Sequence, residues 1–466
     1  MEGNITETTL DIFTHKALKK YTRQTVMDRA LPDFKDGLKP VQRKILWSMY
    51  KMGLFHNLAY KKSARVSGDV MAKYSPHGDC YPAIVNLAQA YRKYNLVLGQ
   101  GNWGSWSGDP AAASRYTEVK LSEFSDVVLL DKDYLAVVPY EDNYDGSEKE
   151  PVYLPARLPV CLMGNIQGIA MAVRTGLPCF SIDSLINVCS YYLKNKDLPE
   201  NLEEILQFEN IYGGKCISTK EEIKNFIDTG SGSITFEPDY ELFKDRIEIT
   251  GIQDNFDFEK VTANLEELSE VKSVKDEGDS QIKICIYLNC KSSDKKALDK
   301  IFKKLQTKVL YNVNILNRLW KDEEVEANYR ETNIRKLIMN WCKFRVKLEK
   351  DHLSYLISEL NKDISYQQLL LKAAENVKEI FKALQEQDTK DIIMDKLKIN
   401  SDQAEIILNL PIKRLSRLDL EKTKITLDNF YKQLDNLNKK LNNVVKVVIE
   451  DLDFLKGKFS NGKRRG

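Results

Sequence analysis

The sequence predicts a helix-rich α+β fold divided into several domains. Three observations carry that expectation. In the first quarter of the 466-residue chain, two short helices flank a glycine-containing turn in basic surroundings. Short strand-like runs follow them, which is the order a winged-helix domain requires. Residues 151–320 mix strand-like runs with amphipathic helices, an α/β-type segment. From residue 326 onward, apolar positions recur three and four apart at both ends of the segment, the spacing of coiled-coil seams.

In chain order, residues 1–30 read as a basic helix with Leu10, Phe13, Ala17, Leu18 and Tyr21 at helical spacing. Pro32 and Gly37 mark a loop. Pro40 opens a helix whose Val41, Ile45, Met49 and Met52 share one face. Lys39, Arg43, Lys44 and Lys51 fall off that face, and Gly53 stops the helix. A second helix covers residues 61–73. The turn Ser75-Pro76-His77-Gly78-Asp79 leads to a third, opened by Pro82, with Ile84, Leu87, Ala88 and Tyr91 on one face. Asn95–Leu98 and Thr117–Leu121 read as the short strands.

Proline punctuates Tyr153–Pro159. Gly232–Phe236, Ile247–Thr250 and Gln281–Leu288 then read as strands, and Ser293–Leu305 as an amphipathic helix. One heptad seam holds Ile334, Leu337, Trp341, Phe344 and Leu348. The other holds Leu427, Phe430, Leu434, Leu437, Leu441, Val444 and Val448, and Leu455 resumes its phase. A compact stretch broken at Pro411 lies between them. Two long helices flanking a compact unit predict a long antiparallel coiled coil with a helical dimerisation knob. An ordinary helical hairpin within one chain has the same periodicity.

Composition excludes several classes. Hydrophobic residues at 42% and charged residues at 30% are ordinary for a soluble protein. No apolar run approaches the roughly 18 residues that span a membrane. The N-terminus has neither the basic nor the apolar region of a signal peptide. The eight cysteines are scattered, form no CxxC pair and lack zinc spacing, so they are expected to be reduced thiols in a cytoplasmic setting. Four histidines lie far apart, and Asp131 and Asp133 sit in an acidic stretch, so no metal held by this chain alone is expected.

The net charge of +2 conceals an asymmetry. Residues 1–120 carry 18 Lys/Arg against 10 Asp/Glu (18 − 10 = +8), whereas residues 121–150 carry 2 against 9 (2 − 9 = −7). A basic first quarter on a near-neutral chain points to a localised polyanion site. A solvated lysine-rich face gives the same count.

Gly99-Gln-Gly101-Asn-Trp-Gly104 matches the GxGxxG pattern and follows an apolar run. A dinucleotide site needs a helix to open at once, with its N-terminus facing the pyrophosphate. Here Ser105, Ser107, Gly108, Asp109 and Pro110 follow, which is loop chemistry. The loop runs instead through Ala111-Ala-Ala-Ser to Arg115-Tyr116. A tyrosine hydroxyl can attack a phosphodiester while a guanidinium holds the charged phosphate. With an ordinary pKa of about 10, the hydroxyl needs nearby positive charge to react at neutral pH.

Five blocks between residues 29 and 118 then resemble, in order, one family. They are Arg29-Ala-Leu-Pro-Asp-Phe-Lys-Asp-Gly-Leu-Lys-Pro-Val-Gln-Arg43-Lys44, Lys61-Lys62-Ser-Ala-Arg65-Val-Ser-Gly-Asp69, Lys73-Tyr-Ser-Pro-His77-Gly-Asp79, Gly99–Gly104 and Ala111-Ala-Ala-Ser-Arg115-Tyr116-Thr-Glu118. The family is the DNA-cleaving subunit of type IIA topoisomerases, which includes the A subunits of gyrase and topoisomerase IV and the medium subunit of tailed-phage topoisomerases. Gly168-Ile169-Ala170 resembles its DNA-wedging segment. Gly213-Gly214 and Thr229–Gly232 resemble its tower domain, and Gln403–Leu408 through Arg414-Leu415 its exit-gate dimer unit.

The resemblance implies an N-terminal arm (1–28) that contacts a partner subunit, followed by a winged-helix DNA-cleavage domain (29–150). It further implies an α/β tower domain (151–325) and a coiled coil (326–466) with a dimerisation unit near 365–425. Tyr116 is implied to form a 5′-phosphotyrosyl link, with Arg115, Arg29 and His77 in the active site. Lys39, Arg43, Lys44, Lys61, Lys62 and Arg65 fall on DNA-binding segments, and Ile169 on the wedge. Mg²⁺ and ATP are expected on a metal-binding ATPase partner subunit, in a heterotetramer-like assembly built on a homodimer on double-stranded DNA. A cytoplasmic, nucleoid-associated location goes with that assembly.

Ser75 stands where the bacterial pattern usually has histidine, and the segment from Asp79 to Ile84 is shorter than in that pattern. Only Lys456–Gly466 follows the second seam. If the chain is complete, the expectation is a subunit with no DNA-wrapping domain, suited to relaxation and decatenation; the length matches phage or viral subunits and equally a shortened bacterial one. The competing reading is a non-catalytic, dimeric DNA-architectural protein. It accounts for the basic patch and the heptads but not for the glycine-rich loop joined to Ala-Ala-Ala-Ser-Arg-Tyr.

Overall fold

The computed structural model describes residues 9–25, 29–76, 78–89, 94–105, 107–164, 166–170, 173–210, 212–253, 256–278, 282–316, 329–386, 388–410 and 420–460. His77, Tyr91, Gln281, Pro411 and the Arg414-Leu415 pair lie outside these residues, as do 1–8 and 26–28 of the N-terminal segment and 461–466 at the other end. Among the described residues the fold mixes helix and sheet and is 52% helical, a helix-rich α+β class. By contact density the chain forms two units, one of residues 1–345 with 449–466 and one of residues 346–448.

In the first unit, helix α1 (Leu10–Thr25) leaves Leu10, Phe13, Leu18 and Tyr21 exposed. Helix α2 (Pro40–Lys51) starts on a proline, whose missing N–H has no helical partner to lose in the first turn. Strand β1 (Lys61–Lys62) runs directly into helix α3 (Ser63–Lys73), and helix α4 spans Tyr81–Ala88. Strands β2 (Val97–Gln100) and β3 (Glu118–Leu121) complete a three-stranded antiparallel sheet in the order β1-β3-β2. Helices and sheet share one core. Ile45, Met49, Val66, Val70, Ile84, Val97, Val119 and Leu121 are all fully buried, each contributing about 1.5–3 kcal/mol relative to exposure.

Two details depart from the expectations above. The two lysines of β1 were expected in a helix, and β2 lies two residues later than the apolar run Asn95–Leu98. The register explains both: Lys61 pairs with Val119 and Lys62 with Glu118 on one edge of β3, while Gln100 pairs with Glu118 on the other. Backbone pairing across the sheet sets these strands, and hydrophobic alternation does not report it.

The remaining strands are the hairpin β4 (Tyr140–Asp142) and β5 (Lys149–Pro151), then β6 (Ile166–Ala170), β7 (Val173–Leu177), β8 (Lys215–Cys216), β9 (Ser231–Glu237), β10 (Asp239–Leu242), β11 (Arg246–Gly251), β12 (Val271–Asp276), β13 (Ile284–Leu288), β14 (Thr307–Asn312), β15 (Asn314–Leu316) and β16 (Tyr329–Glu331). A five-stranded antiparallel sheet has the order β6-β7-β14-β9-β8, and a four-stranded one β10-β11-β13-β12. Helix Lys295–Leu305 packs on the latter, burying Leu298, Ile301 and Leu305 against Ile247, Ile249, Ile284 and Ile286. Asp294 caps it by accepting from the Lys296 and Ala297 N–H groups, so the helix starts later than Ser293.

Helix Ile334–Glu375 is 42 residues long. Its first turns bury Ile334, Leu337 and Trp341 in the first unit. There Asp451 of helix Val444–Phe459 accepts from both Arg157 and Arg345, and both guanidiniums lie over the Tyr134 ring, at 5.2 and 5.3 Å. In the second unit Leu360 and Ile364 pack with Leu427, Phe430, Leu434 and Leu437 of helix Leu420–Asn442. Helices Val377–Ala383, Thr389–Leu397 and Ser401–Leu408 bury Ile380, Ile393, Leu397, Ala404 and Ile407 in a small core with Leu369 and Leu370.

The second heptad seam is interrupted, since one helix ends at Asn442 and the next begins at Val444. Asn443 donates its side-chain amide to the Lys439 carbonyl, a local bond that competes with helix continuation. All eight cysteines are free thiols. Among the described residues no helix is long and apolar enough to cross a membrane.

Candidate active site

Tyr116 lies two residues before β3, at the end of the long loop from β2. It is 63% exposed. Arg115 is also exposed, and its guanidinium carbon sits 4.6 Å from the Tyr116 ring centroid. The loop is held from beneath. Ser63 N–H donates to the Thr117 carbonyl (3.0 Å) and Ala64 N–H to the Ser114 carbonyl (3.2 Å), so the start of α3 is fastened to the segment that carries Arg115 and Tyr116. Tyr116 N–H closes a turn on Ala113 O at 2.8 Å. On the other side, Gly101 adopts φ +109, and a Cβ there would lie 3.4 Å from Tyr116 O. The glycine pattern thus lets one loop run against the backbone of Tyr116 and Thr117, a steric role.

Basic side chains cluster at the same edge. Lys61, Lys62 and Arg65 are exposed on β1 and the first turn of α3. Lys62 pairs with Glu118 at 2.9 Å, an exposed ion pair that a phosphate can displace at little cost.

Arg29 is exposed, and its neighbour Ala30 is packed against the hairpin of β6 and β7. At Gly168 any Cβ would collide with the Ala30 carbonyl oxygen, so only glycine permits this approach. Ile169, the next residue, is 79% exposed.

The basic residues of α2 are placed differently. Arg43, expected off the buried face, is only 4% exposed. Its Nε donates to Asp36 Oδ2 at 2.6 Å, and its Nη2 to Asp36 Oδ1 at 3.0 Å and to the Leu38 carbonyl at 3.1 Å. Burial alone would lower its pKa, but the Asp36 carboxylate outweighs that, and the net direction is upward. Arg43 therefore holds the Asp36–Leu38 loop onto α2, and the structure places it in the interior and not among the exposed cations beside Tyr116. Lys44 donates to the Tyr74 carbonyl at 2.6 Å and pairs with Glu150 at 3.2 Å. Lys39, half-buried, precedes the helix, and its N–H donates to Gln42 Oε1 at 3.0 Å.

Sequence reasoning missed the polar groups beneath the loop. The Thr117 and Ser63 hydroxyls, both fully buried, are 2.8 Å apart, and the Tyr81 hydroxyl lies 2.9 Å from Thr117 Oγ1. Each is one more hydroxyl in a chain with many, and only the fold gathers them. Among the described residues no group of three or more His, Cys, Asp or Glu side chains is placed to hold a metal ion.

These features agree with comparisons against known proteins. The family model for the A subunit of DNA gyrase/topoisomerase IV matches residues 29–453. The A subunit of DNA topoisomerase 4 from Haemophilus influenzae is 34% identical over 441 residues, covering 91% of this chain and 58% of that protein. The A subunit of DNA gyrase from Brachyspira hyodysenteriae is 30% identical over 472 residues, covering 95% of this chain and 55% of its own length. The A subunit of DNA topoisomerase 4 from Mycoplasma pneumoniae is 33% identical over 436 residues, 88% of this chain and 54% of its own. The chain thus spans somewhat more than half the length of these relatives. With a family match running from Arg29 through the Tyr116 loop and the long helices to Asp453, the chain belongs to the family of DNA gyrase and topoisomerase IV A subunits.

Proposed function

We propose that this chain is the DNA-cleaving and rejoining subunit of an ATP-dependent type IIA topoisomerase. The observation that carries the reading is the exposed Arg115-Tyr116 pair, on a loop braced from below and edged by Lys61, Lys62 and Arg65. In this reading Tyr116 Oη attacks a backbone phosphorus. The new O–P bond replaces the bond to the 3′ oxygen, which leaves as a hydroxyl, and the 5′ end remains on the tyrosine. One phosphodiester is exchanged for another, so attack by the 3′ hydroxyl reseals the strand without an energy source. Arg115 and the exposed lysines stabilise charge on the phosphate.

The second copy in a homodimer cuts the opposite strand, and another duplex passes through the gap. Residues 29–150 serve as the winged-helix cleavage domain, 151–325 as the tower, and 326–466 as the coiled coil with its dimerisation unit. The 1–28 segment contacts the partner subunit. Mg²⁺ and ATP are assigned to that partner on the likeness of the ordered Arg29–Glu118 motifs to this family. His77, by its place in the matched motif, is assigned to the active site beside Arg29.

Ile169 is assigned the wedge that inserts between base pairs and bends the duplex, at a cost of a few kcal/mol of unstacking. Ile169→Ala is expected to reduce the DNA bend measured by fluorescence energy transfer and to slow covalent attachment roughly tenfold. An unchanged bend would show that Ile169 is not the wedge. The assembly is tested by mixing the chain with an ATPase subunit of this family and linked DNA circles. Decatenation requiring both proteins and ATP is expected. DNA compaction without any strand passage is the result the architectural reading requires.

A further inference from the structure

We propose that Tyr81 is a positioning residue for the nucleophile, clamping both ends of the loop that carries Tyr116; the inference rests on the reading of Tyr116 as the attacking group. The segment 112–117 is a short arc. At its start, the Ala112 carbonyl accepts a hydrogen bond from the Tyr81 hydroxyl. At its end, Thr117 Oγ1 lies 2.9 Å from the same hydroxyl oxygen. A carbonyl has no proton to offer and the Thr117 hydroxyl gives its own proton to Ser63 Oγ, so the single Tyr81 proton is shared between the Ala112 carbonyl and Thr117 Oγ1. Among the described residues, Tyr81 is the side chain whose hydrogen bonds reach both ends of the arc from another element. Between those ends, Arg115 and Tyr116 project into solvent.

The clamp itself is fixed. Tyr81 is the first residue of α4, and its N–H donates to Asp79 Oδ1 at 3.0 Å. Its ring packs against Trp103, with centroids 6.2 Å apart. Trp103 belongs to the Gly99–Gly104 loop, and Asn102 of that loop accepts from Ala112 N–H at 3.0 Å. The Thr117 hydroxyl in turn donates to Ser63 Oγ at 2.8 Å, and Ser63 starts α3. One phenol therefore links α4, α3, the glycine-rich loop and the nucleophile arc.

An exposed tyrosine that must meet a phosphorus in line gains from such a brace. Displacement of a reacting group by about 1 Å can cost on the order of a hundredfold in rate. The effect should appear in the chemical step and not in DNA affinity, because the hydrogen bonds of Tyr81 go to the Ala112 carbonyl and the buried Thr117 and leave Lys61, Lys62 and Arg65 exposed as they are.

The test uses the full chain with its ATPase subunit, Mg²⁺ and a saturating linear duplex. Tyr81→Phe is expected to slow single-turnover covalent attachment roughly ten- to a hundredfold, with DNA affinity and melting temperature unchanged. In the chain alone, amide hydrogen exchange across residues 112–118 should accelerate in the same variant. Thr117→Ser, which keeps the hydroxyl, should retain the parent rate, and Thr117→Val should lose it. A parent-like rate in Tyr81→Phe, a loss matched by weaker DNA binding or lower melting temperature, or equal rates in Thr117→Ser and Thr117→Val would overturn the clamp. Covalent attachment persisting in Tyr116→Phe would instead overturn the reading of Tyr116, so the two failures are distinct.

Discussion

Tyr116→Phe is expected to reduce covalent DNA attachment to background while leaving DNA binding and folding close to the parent. The substitution removes one oxygen from a side chain that is 63% exposed. Among the described residues no hydrogen bond to that hydroxyl holds the fold, and surface changes of this kind alter stability by about 0.5 kcal/mol or less. The ring that Arg115 covers at 4.6 Å remains, so the local packing survives. Chemistry is affected differently. Loss of a covalent nucleophile costs on the order of 10⁴-fold or more, because the remaining binding groups cannot supply the missing bond. Detergent-trapped protein–DNA complexes report the loss, and a mobility assay with the same duplex reports binding. Complexes forming at the parent level in the mutant would assign the nucleophile elsewhere.

Asp36→Ala is expected to destabilise the first unit by about 3–5 kcal/mol, the cost of leaving a buried charge without its partner. Asp36 is fully buried and accepts from Arg43 Nε and Nη2, from Leu38 N–H at 3.0 Å and from Leu154 N–H at 2.9 Å. Removing it strands the Arg43 guanidinium and frees two backbone donors at once. Lys35 lies in the same interior, only 2% exposed and 3.5 Å from Asp33. Burial pushes its pKa down, against the pull of Asp33 and Asp36, so loss of Asp36 deprives a second buried cation of compensation. Urea unfolding measures the effect. Arg43→Ala should destabilise to a similar degree, whereas Asp36→Leu combined with Arg43→Met should recover part of the loss. If Arg43→Ala weakened DNA binding with stability untouched, Arg43 would return to the DNA interface.

Much of this fold is legible in the sequence. Pro40 and Gly53 bound α2 because they act through local backbone geometry, which sequence reports directly. The GxGxxG pattern fails as a dinucleotide site on the loop residues after it, and the structure uses Gly101 for a close backbone approach. Charge is read less well. Arg43 and Lys44 look like surface cations on a helical wheel, but Asp36, seven residues away across a turn, and Glu150, far along the chain, take them inward. The two lysines of β1 carry no strand signal of their own, because they become a strand only by pairing with residues 118 and 119. Tyr81, Ser63 and Thr117 are invisible for the same reason, since hydrogen bonds between residues 36 and 54 positions apart leave no local pattern. The ordered family motifs make the site legible as a whole, while its bracing requires the fold.

The central claim is that Tyr116 becomes linked to the 5′ end of cleaved DNA. The direct measurement is to trap the complex with detergent, digest the DNA, and locate the residual nucleotide on the protein by mass spectrometry. The account predicts one modified peptide containing Tyr116, with the nucleotide joined through its 5′ phosphate. A nucleotide on any other residue, or a link through a 3′ phosphate, would contradict it.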